Sequence, residues 1–321
     1  MSISIFSMNI HQFKYLLAVA ELKHFELAAE KCFVTQSTLS TMIAKFEEEL
    51  GVAVFDRKKK PVEITAEGVL VLRRLKHIVH EIDGMKEMVK ELKGEVSGQI
   101  TISVIPTVAP FLLPLFLQEF ARDFPSLHIS VREQTTQEIV RGLKNRDIDL
   151  GILSVPLNEP ELIEQVVYDE PFLFYDAGRK RHHKIKVEDA ADSNLCLLEE
   201  GHCMRTQVLS LCDIKEGAMA SGLQFDFKAG SIDSLMRFVK ANKATTLLPY
   251  LATHNMSHQD KKHLSEFKGS IPYRTIGIAV HRHFIKKKIL TSLITAIQKQ
   301  TENILPKLKG SKNRLLPVEH F

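Results

Sequence analysis

Val34-Thr35-Gln36-Ser37-Thr38-Leu39-Ser40-Thr41-Met42-Ile43-Ala44-Lys45-Phe46-Glu47-Glu48-Glu49-Leu50-Gly51 decides the fold at the amino-terminal end of this 321-residue chain. Thr35 suits a helix N-cap, Leu39, Ile43, Phe46 and Leu50 recur at helical spacing, and Gly51 suits the left-handed residue that closes a helix. The opposite face carries Gln36, Ser37, Thr38, Ser40, Thr41 and Lys45. Short polar side chains near a helix N-terminus can reach base edges and phosphates in a major groove, and a glutamine can pair with adenine through two hydrogen bonds. Plain solvent exposure of a polar face is the competing reading. Charge does not separate the two, because residues 1–62 hold eight Lys and Arg against seven Asp and Glu.

The flanking sequence fits the first reading. Phe13, Leu16, Leu17 and Ala20 mark a helix over about 10–22, and a short helix fits 25–32, where Ala28-Ala29 lets a neighbour approach closely and Cys32 belongs to the core. After Gly51, Val52-Ala53-Val54-Phe55 and Val62-Glu63-Ile64 read as short strands around Arg57-Lys58-Lys59-Lys60-Pro61. A basic tetrapeptide is usually a solvated turn. At this distance beyond a recognition-helix pattern it is expected to contact the phosphate backbone, adding salt-dependent affinity without sequence information. Together these elements form a winged helix-turn-helix, assigned to residues 1–64.

Residues 65–96 are expected to form a linker helix and hinge. Val71, Leu75, Ile78, Ile82, Met85, Val89 and Leu92 are spaced 4, 3, 4, 3, 4 and 3 apart, a heptad seam that buries itself best against a second copy. Packing on the protein's own next domain is the alternative. A homodimer would present two recognition helices to two half-sites.

From residue 97 to 302 the pattern alternates between strand and helix, as in a parallel sheet covered on both faces. Strands are expected at 100–105, 127–132 and 148–153, with helices at 111–124 and 138–144. A second lobe is expected after Val167, with strands at 195–198, 225–229 and 244–248 and helices near 205–212 and 231–241. Residues 275–281 then return to the first lobe, followed by a helix from 285 to about 299. Ligands in such sheets sit beyond the strand carboxyl ends, which brings Thr107 and Thr135 to one cleft. The basic tail, 303–321, is expected to be loosely ordered.

One stretch within the second lobe carries chemistry. Glu199-Glu200-Gly201-His202-Cys203-Met204-Arg205 through Cys212 places two of the chain's four cysteines near a histidine and an arginine. Thiolates, not thiols, react with oxidants, and cationic neighbours such as Arg205 and a protonated His202 favour the thiolate, as does a helix N-terminus. Cys203 is the candidate nucleophile, and Cys212 is the only other cysteine in the segment, available to condense with a sulfenic acid. Nine helical steps would separate their Cα atoms by about 13 Å, against the roughly 7 Å that a disulfide tolerates. Closing that bond therefore requires unwinding. The competing reading makes both cysteines small buried hydrophobes. Cys196 fits a strand core.

Composition sets the remaining bounds. The chain is 44% hydrophobic and 26% charged with a net charge of +4, in the range of a soluble globular protein and too mild to argue for nucleic acid by itself. Neither a signal peptide nor a membrane span is expected, which points to the cytoplasm, around the nucleoid. Arg181-His182-His183 and the scattered His254, His258 and His263 lack metal-ligand spacing, so no metal and no cofactor is expected.

The amino-terminal residues His24-Phe25, Ala28-Ala29, Val34 through Ser40, Ile43, Phe46-Glu47, Leu50-Gly51, Phe55-Asp56-Arg57 and Thr65-Ala66-Glu67-Gly68 resemble the LysR-type transcriptional regulators. The resemblance implies that Gln36, Ser37, Thr38 and Thr41 lie at the base-reading helix and Arg57 in the wing, and Thr35 at the helix start and Lys58, Lys59 and Lys60 of the basic run join them as expected DNA contacts. The partner it implies is double-stranded promoter DNA. It also implies a two-lobed α/β regulatory domain like a periplasmic binding protein, and a homodimer that pairs further into a homotetramer. Ser37 stands where the family commonly has proline.

At the carboxyl side, Ile105-Pro106-Thr107, Leu112-Leu113-Pro114, Gln134-Thr135, Leu198 through Cys212, Thr246 through Pro249 and Arg274-Thr275-Ile276-Gly277 resemble the peroxide-sensing members of that family. That likeness implies hydrogen peroxide as the signal, Cys203 as the peroxidatic cysteine and Cys212 as the resolving one. It implies a pocket of Thr107, Thr135, His202, Cys203, Arg205 and Arg274, and an activator of antioxidant genes rather than an enzyme. Thr206 stands where an acidic residue is usual beside the arginine. A LysR-type regulator answering a small metabolite between the lobes, and a thiol peroxidase, are the rival functions.

Overall fold

A computed structural model describes residues 8–92, 97–179, 184–191, 193, 195–212, 228–308 and 312–317. The chain divides into two compact units, 1–93 and 94–321.

In the first unit, α1 (Ile10–Leu22), α2 (Phe25–Lys31) and α3 (Gln36–Leu50) pack around Leu16, Val19, Ala28, Leu39, Ile43 and Phe46. Local chemistry sets each boundary. Asn9 and Gln12 form a reciprocal capping box at the start of α1, Thr35 Oγ1 accepts the Thr38 amide at 3.2 Å, and α3 ends at Gly51 with φ +68°. The wing reduces to β1 (Phe55–Asp56) paired antiparallel with β2 (Glu63–Ile64).

Helix α4 (Ala66–Leu92) starts against the wing, where a Cβ on Gly68 would lie 2.2 Å from the Val54 carbonyl oxygen. That distance allows only glycine without movement of the backbone. Its heptad seam is used unevenly. Leu75, with Leu72 beside it and Val71 at the margin, is buried in the unit's own core, so the near end of the expected seam is already covered. Ile78, Met85 and Val89 are exposed and Ile82 is half-buried, while the Leu92 side chain and the hinge residues 93–96 lie outside the described residues.

The second unit has a mixed sheet in the order β4-β3-β5-β9-β6-β7. Its strands are β3 (Gly98–Val104), β4 (Leu127–Glu133), β5 (Leu150–Ser154), β6 (Leu162–Asp176), β7 (Thr245–Pro249), β8 (Leu264–Ser265), β9 (Ile271–His281) and β10 (Lys312–Arg314). The expected parallel β3, β4 and β5 are present, joined through α5 (Ala109–Asp123) and α6 (Thr136–Lys144). Strand β9 then pairs antiparallel with β5 and with β6. The remaining helices are α7 (Val187–Ala191), α8 (Cys203–Cys212), α9 (Ile232–Asn242), α10 (Tyr250–His254), α11 (His258–Lys261) and α12 (Lys287–Thr301).

Two apolar cores make the two lobes. One gathers Ile100, Ile102, Leu112, Phe116, Ile139, Leu150, Ile278 and Leu293, and the other gathers Phe172, Phe174, Leu198, Met204, Val208, Leu235, Val239 and Leu247. Both lobes share β6, whose Leu162 and Tyr168 face the first core and whose Phe172 and Phe174 face the second. The expected lobe boundary at Val167 thus falls inside a continuous 15-residue strand, a length that the interruption Asp169-Glu170-Pro171 conceals in the sequence.

Two further expectations are corrected. Residues 195–198 are not a strand but make isolated bridges, Leu195 to Thr245 and Leu198 to Ala229, with residues 225–227 outside the described set. The tail is not loose where it is described. Strand β10 adds in parallel to Ile271–Tyr273 of β9, and Leu315 is buried in the second core.

Candidate functional site

Each unit presents one group of candidate residues. In the first, Gln36, Ser37, Thr38, Thr41 and Lys45 are exposed on α3 while Leu39, Ile43 and Phe46 are buried beneath them. Thr35 is exposed too, but its hydroxyl caps the helix and hydrogen-bonds the Ser37 and Thr38 hydroxyls at 3.0 and 2.8 Å. Arg57 is tied down by Glu47 of α3 at 2.6 Å, donates to Ser40 Oγ at 3.3 Å and lies 5.1 Å from the centroid of the Phe25 ring. It braces the wing against α3. Lys59 is paired with Glu63, while Lys58 and Lys60 are exposed at the tip.

In the second unit the lobes meet at the first turn of α8. Cys203, its first residue, packs in the first-lobe core, while Met204, Val208 and Cys212 pack in the second. Gly201, at φ +93°, turns the chain into the helix.

Burial pushes the Cys203 thiol up from its ordinary value. The Arg274 guanidinium, the Thr136 hydroxyl and the backbone amides of Met204 and Cys203 pull it the other way. The cation that acts on this sulfur is therefore Arg274, from β9, rather than the expected Arg205 or His202. Arg205 points its Nη1 at the Leu198 carbonyl at 3.0 Å, and its buried Nε has no hydrogen-bond partner. His202 sits beside Glu199 with 4.0 Å between Nε2 and Oε1, but burial outweighs Glu199 and the Gly230 backbone and holds its pKa below 6.5.

Arg274 is almost fully buried and needs a counter-charge. Glu170, opposite it on β6 and fully buried, accepts from Nε at 2.9 Å and from Nη2 at 2.8 Å. The second oxygen of Glu170 accepts the Leu251 amide at 2.7 Å. The outer edge of the guanidinium then holds Thr107, with Nη1 donating to Oγ1 at 2.9 Å and Nη2 to the carbonyl at 3.1 Å. Glu170, Arg274 and Thr107 form a rigid polar wall beside the sulfur.

The start of α6 also reaches the thiol. Thr135 is committed to its capping box, donating to Glu138 Oε2 at 2.9 Å and accepting the Glu138 amide. Its neighbour Thr136 is the residue at the thiol, and its buried Oγ1 has no regular hydrogen-bond partner. Sequence reasoning missed Thr136 and Glu170. The Thr135-Thr136 doublet hinted at the first, and an acid inside the apolar run 166–175 hinted at the second. Cys212 is also buried, and its thiol is pushed up to about 11.

Among the described residues no group of three or more His, Cys, Asp or Glu side chains could hold a metal, and no helix is long and apolar enough to cross a membrane. The run Arg181-His182-His183 lies outside those residues.

Residues 10–69 match the family described as bacterial regulatory helix-turn-helix protein, lysR family, and residues 93–301 match the LysR substrate binding domain. The DNA-binding transcriptional dual regulator OxyR of Escherichia coli strain K12 is 33% identical over 276 residues, which span 84% of this chain and 88% of that protein. A hydrogen peroxide-inducible genes activator of Pectobacterium carotovorum is 33% identical over 258 residues, 79% of this chain and 83% of that one. Among solved structures, a full-length OxyR variant from Pseudomonas aeruginosa superposes with a TM-score of 0.74 at 26% identity, covering 91% of this chain and 98% of its own.

Proposed function

The chain belongs to the LysR family of DNA-binding transcriptional regulators, and from that premise we propose that its signal is hydrogen peroxide, read by Cys203 and relayed through a disulfide with Cys212. The observation that carries this reading is the wall around Cys203. A buried thiol has beside it the buried Thr136 hydroxyl and feels an arginine fixed by Glu170 and Thr107, a set of groups that suits a small polar molecule with oxygens at both ends. The OxyR likeness supports the same signal.

The Cys203 thiolate attacks one peroxide oxygen, the O–O bond breaks, and the departing hydroxide takes up a proton, leaving a sulfenic acid and water. The Cys212 sulfur then displaces the sulfenic oxygen as a second water, so two thiols lose two electrons to one peroxide. Helix α8 cannot stay intact during the second step, since its ends lie about 13 Å apart. Met204 and Val208 must leave the second core, which makes the segment a two-state element. Peptide mapping after brief peroxide exposure tests the proposal: a Cys203–Cys212 disulfide is expected, and its absence would defeat the reading.

At the output end we propose that Gln36, Ser37, Thr38 and Thr41 read bases while Lys58 and Lys60 contact phosphate. Gln36→Ala is expected to cost about 1–3 kcal/mol on the cognate site and little on random duplex. Lys60→Ala should instead weaken both alike and reduce the salt slope by roughly one. Fluorescence anisotropy on the two duplexes at several salt concentrations separates them.

We also propose that the uncovered part of α4 pairs two copies. Ile78 and Met85 are exposed within one chain, so aspartate at both should turn a dimer into a monomer in sedimentation without loss of helix content. A dimer that survives both charges would place the interface elsewhere.

A further inference from the structure

We propose that the carboxyl-terminal segment 312–317 is a latch that holds α8 in its helical form and thereby sets how readily the cysteines can meet. The redox arm of this inference rests on the reading of Cys203 and Cys212 given above; the mechanical arm does not.

The latch has two halves, a buried side chain of α8 and the edge strand that carries Leu315. Gln207 is fully buried in the middle of α8, between the two cysteines. Its Nε2 donates to the Leu315 carbonyl at 3.1 Å and to Ser154 Oγ at 3.0 Å, so one amide spends both hydrogens tying the helix to the tail and to the end of β5. Ser154 passes the tie on to the Thr275 carbonyl in β9. The tail is held from its other side by β10, by the Leu315 amide donating to the Tyr273 carbonyl at 2.7 Å, and by Arg314 Nη2 donating to the Val155 carbonyl at 3.0 Å. Leu315 is 5% exposed, in the same core as Met204, Val208 and Cys212 of α8.

Those contacts make the tail and the helix conditional on each other. Bringing Cys203 to Cys212 requires the turn carrying Gln207 to come undone, which withdraws both donor hydrogens at once. The Leu315 carbonyl would then be buried without a partner, and its side chain would lose part of the core it shares with Met204 and Val208. The relaxed response is for 312–317 to leave the edge of β9. By reciprocity, a chain whose tail cannot dock has a looser α8. The tail has no apolar periodicity of its own, so among the described residues it is held by the strand addition, the Leu315 plug and the hydrogen bonds of Gln207 and Arg314.

Two variants of the full chain test this: Leu315→Asp, which expels the plug, and the milder Leu315→Ala, which keeps the lobe folded should the first disrupt it. Amide hydrogen exchange across 203–212 in the reduced protein is the mechanical readout. Exchange there is expected to quicken by about tenfold, the equivalent of one to two net hydrogen bonds, with 36–50 in the other unit unchanged. The initial rate of disulfide closure under limiting peroxide is the redox readout, and it should rise by a similar factor. In the oxidised wild type, tryptic cleavage after Lys312 and Arg314 should be faster than in the reduced form. Unchanged exchange across 203–212 in Leu315→Ala would overturn the latch. If exchange quickens but no Cys203–Cys212 bond forms in any variant, the latch stands and the peroxide reading falls.

Discussion

Replacing Cys203 by serine will leave a folded regulator that binds DNA but no longer responds to peroxide. Serine keeps the size of the side chain, and α8 keeps its packing through Met204 and Val208, so the change should fall on chemistry rather than on the fold. Peroxide induction is expected to drop to the uninduced level, and no sulfenic acid should be trapped by a dimedone-type probe. Cys212→Ser separates the steps, because the sulfenic acid should then form and persist. The pH profile adds a check of sign. Burial holds the Cys203 thiol above its ordinary value and only the thiolate reacts, so the rate should climb about tenfold per pH unit through neutrality. A peroxide response retained in Cys203→Ser would transfer the sensing role to a metabolite in the interlobe cleft.

Arg274→Met is expected to have the largest effect on stability. Glu170 is fully buried, and Arg274 is the cation bonded to it, so removing the guanidinium strands a carboxylate in the sheet. Breaking such a pair costs about 3–5 kcal/mol, whereas replacing both partners by neutral groups of like shape costs far less. Thermal melting of the Arg274→Met/Glu170→Gln double variant should therefore recover much of the loss, since glutamine can still accept the Leu251 amide. Peroxide reactivity should not recover with it. Arg274 favours the Cys203 thiolate, so both variants should need higher pH to reach the same rate. Full reactivity in the double variant would show that Arg274 is only structural.

Much of the fold can be read along the chain because its causes are local. The caps at Asn9, Thr35 and Gly51 and the buried Leu39, Ile43 and Phe46 depend on neighbours within a turn or two, so the three helices lie within a residue or two of where their patterns place them. The α8 segment is equally local. It runs from one cysteine to the other, and that fact alone forbids a disulfide without unwinding.

The environment of the thiol is different in kind. Spacing in the sequence points to the adjacent Arg205 and His202 as the activating cations, yet one lies against a carbonyl and burial disfavours the charged form of the other. The effective cation is Arg274, which meets Glu170 from 104 residues away and Thr107 from 167. Such partners have no periodicity to announce them. They become neighbours only because β9 returns antiparallel beside β6 in a register that sets Glu170 opposite Arg274. The docked tail has the same origin, since a three-residue strand and a single leucine carry no pattern until an open edge of β9 receives them. The sequence by itself determined the helices, the strands that carry the alternation and the two cysteines' separation, because these follow from contacts within a few residues. Only the tertiary structure decided which charge acts on the sulfur and which segment docks beside α8, because desolvation and pairing across the sheet depend on segments more than a hundred residues apart.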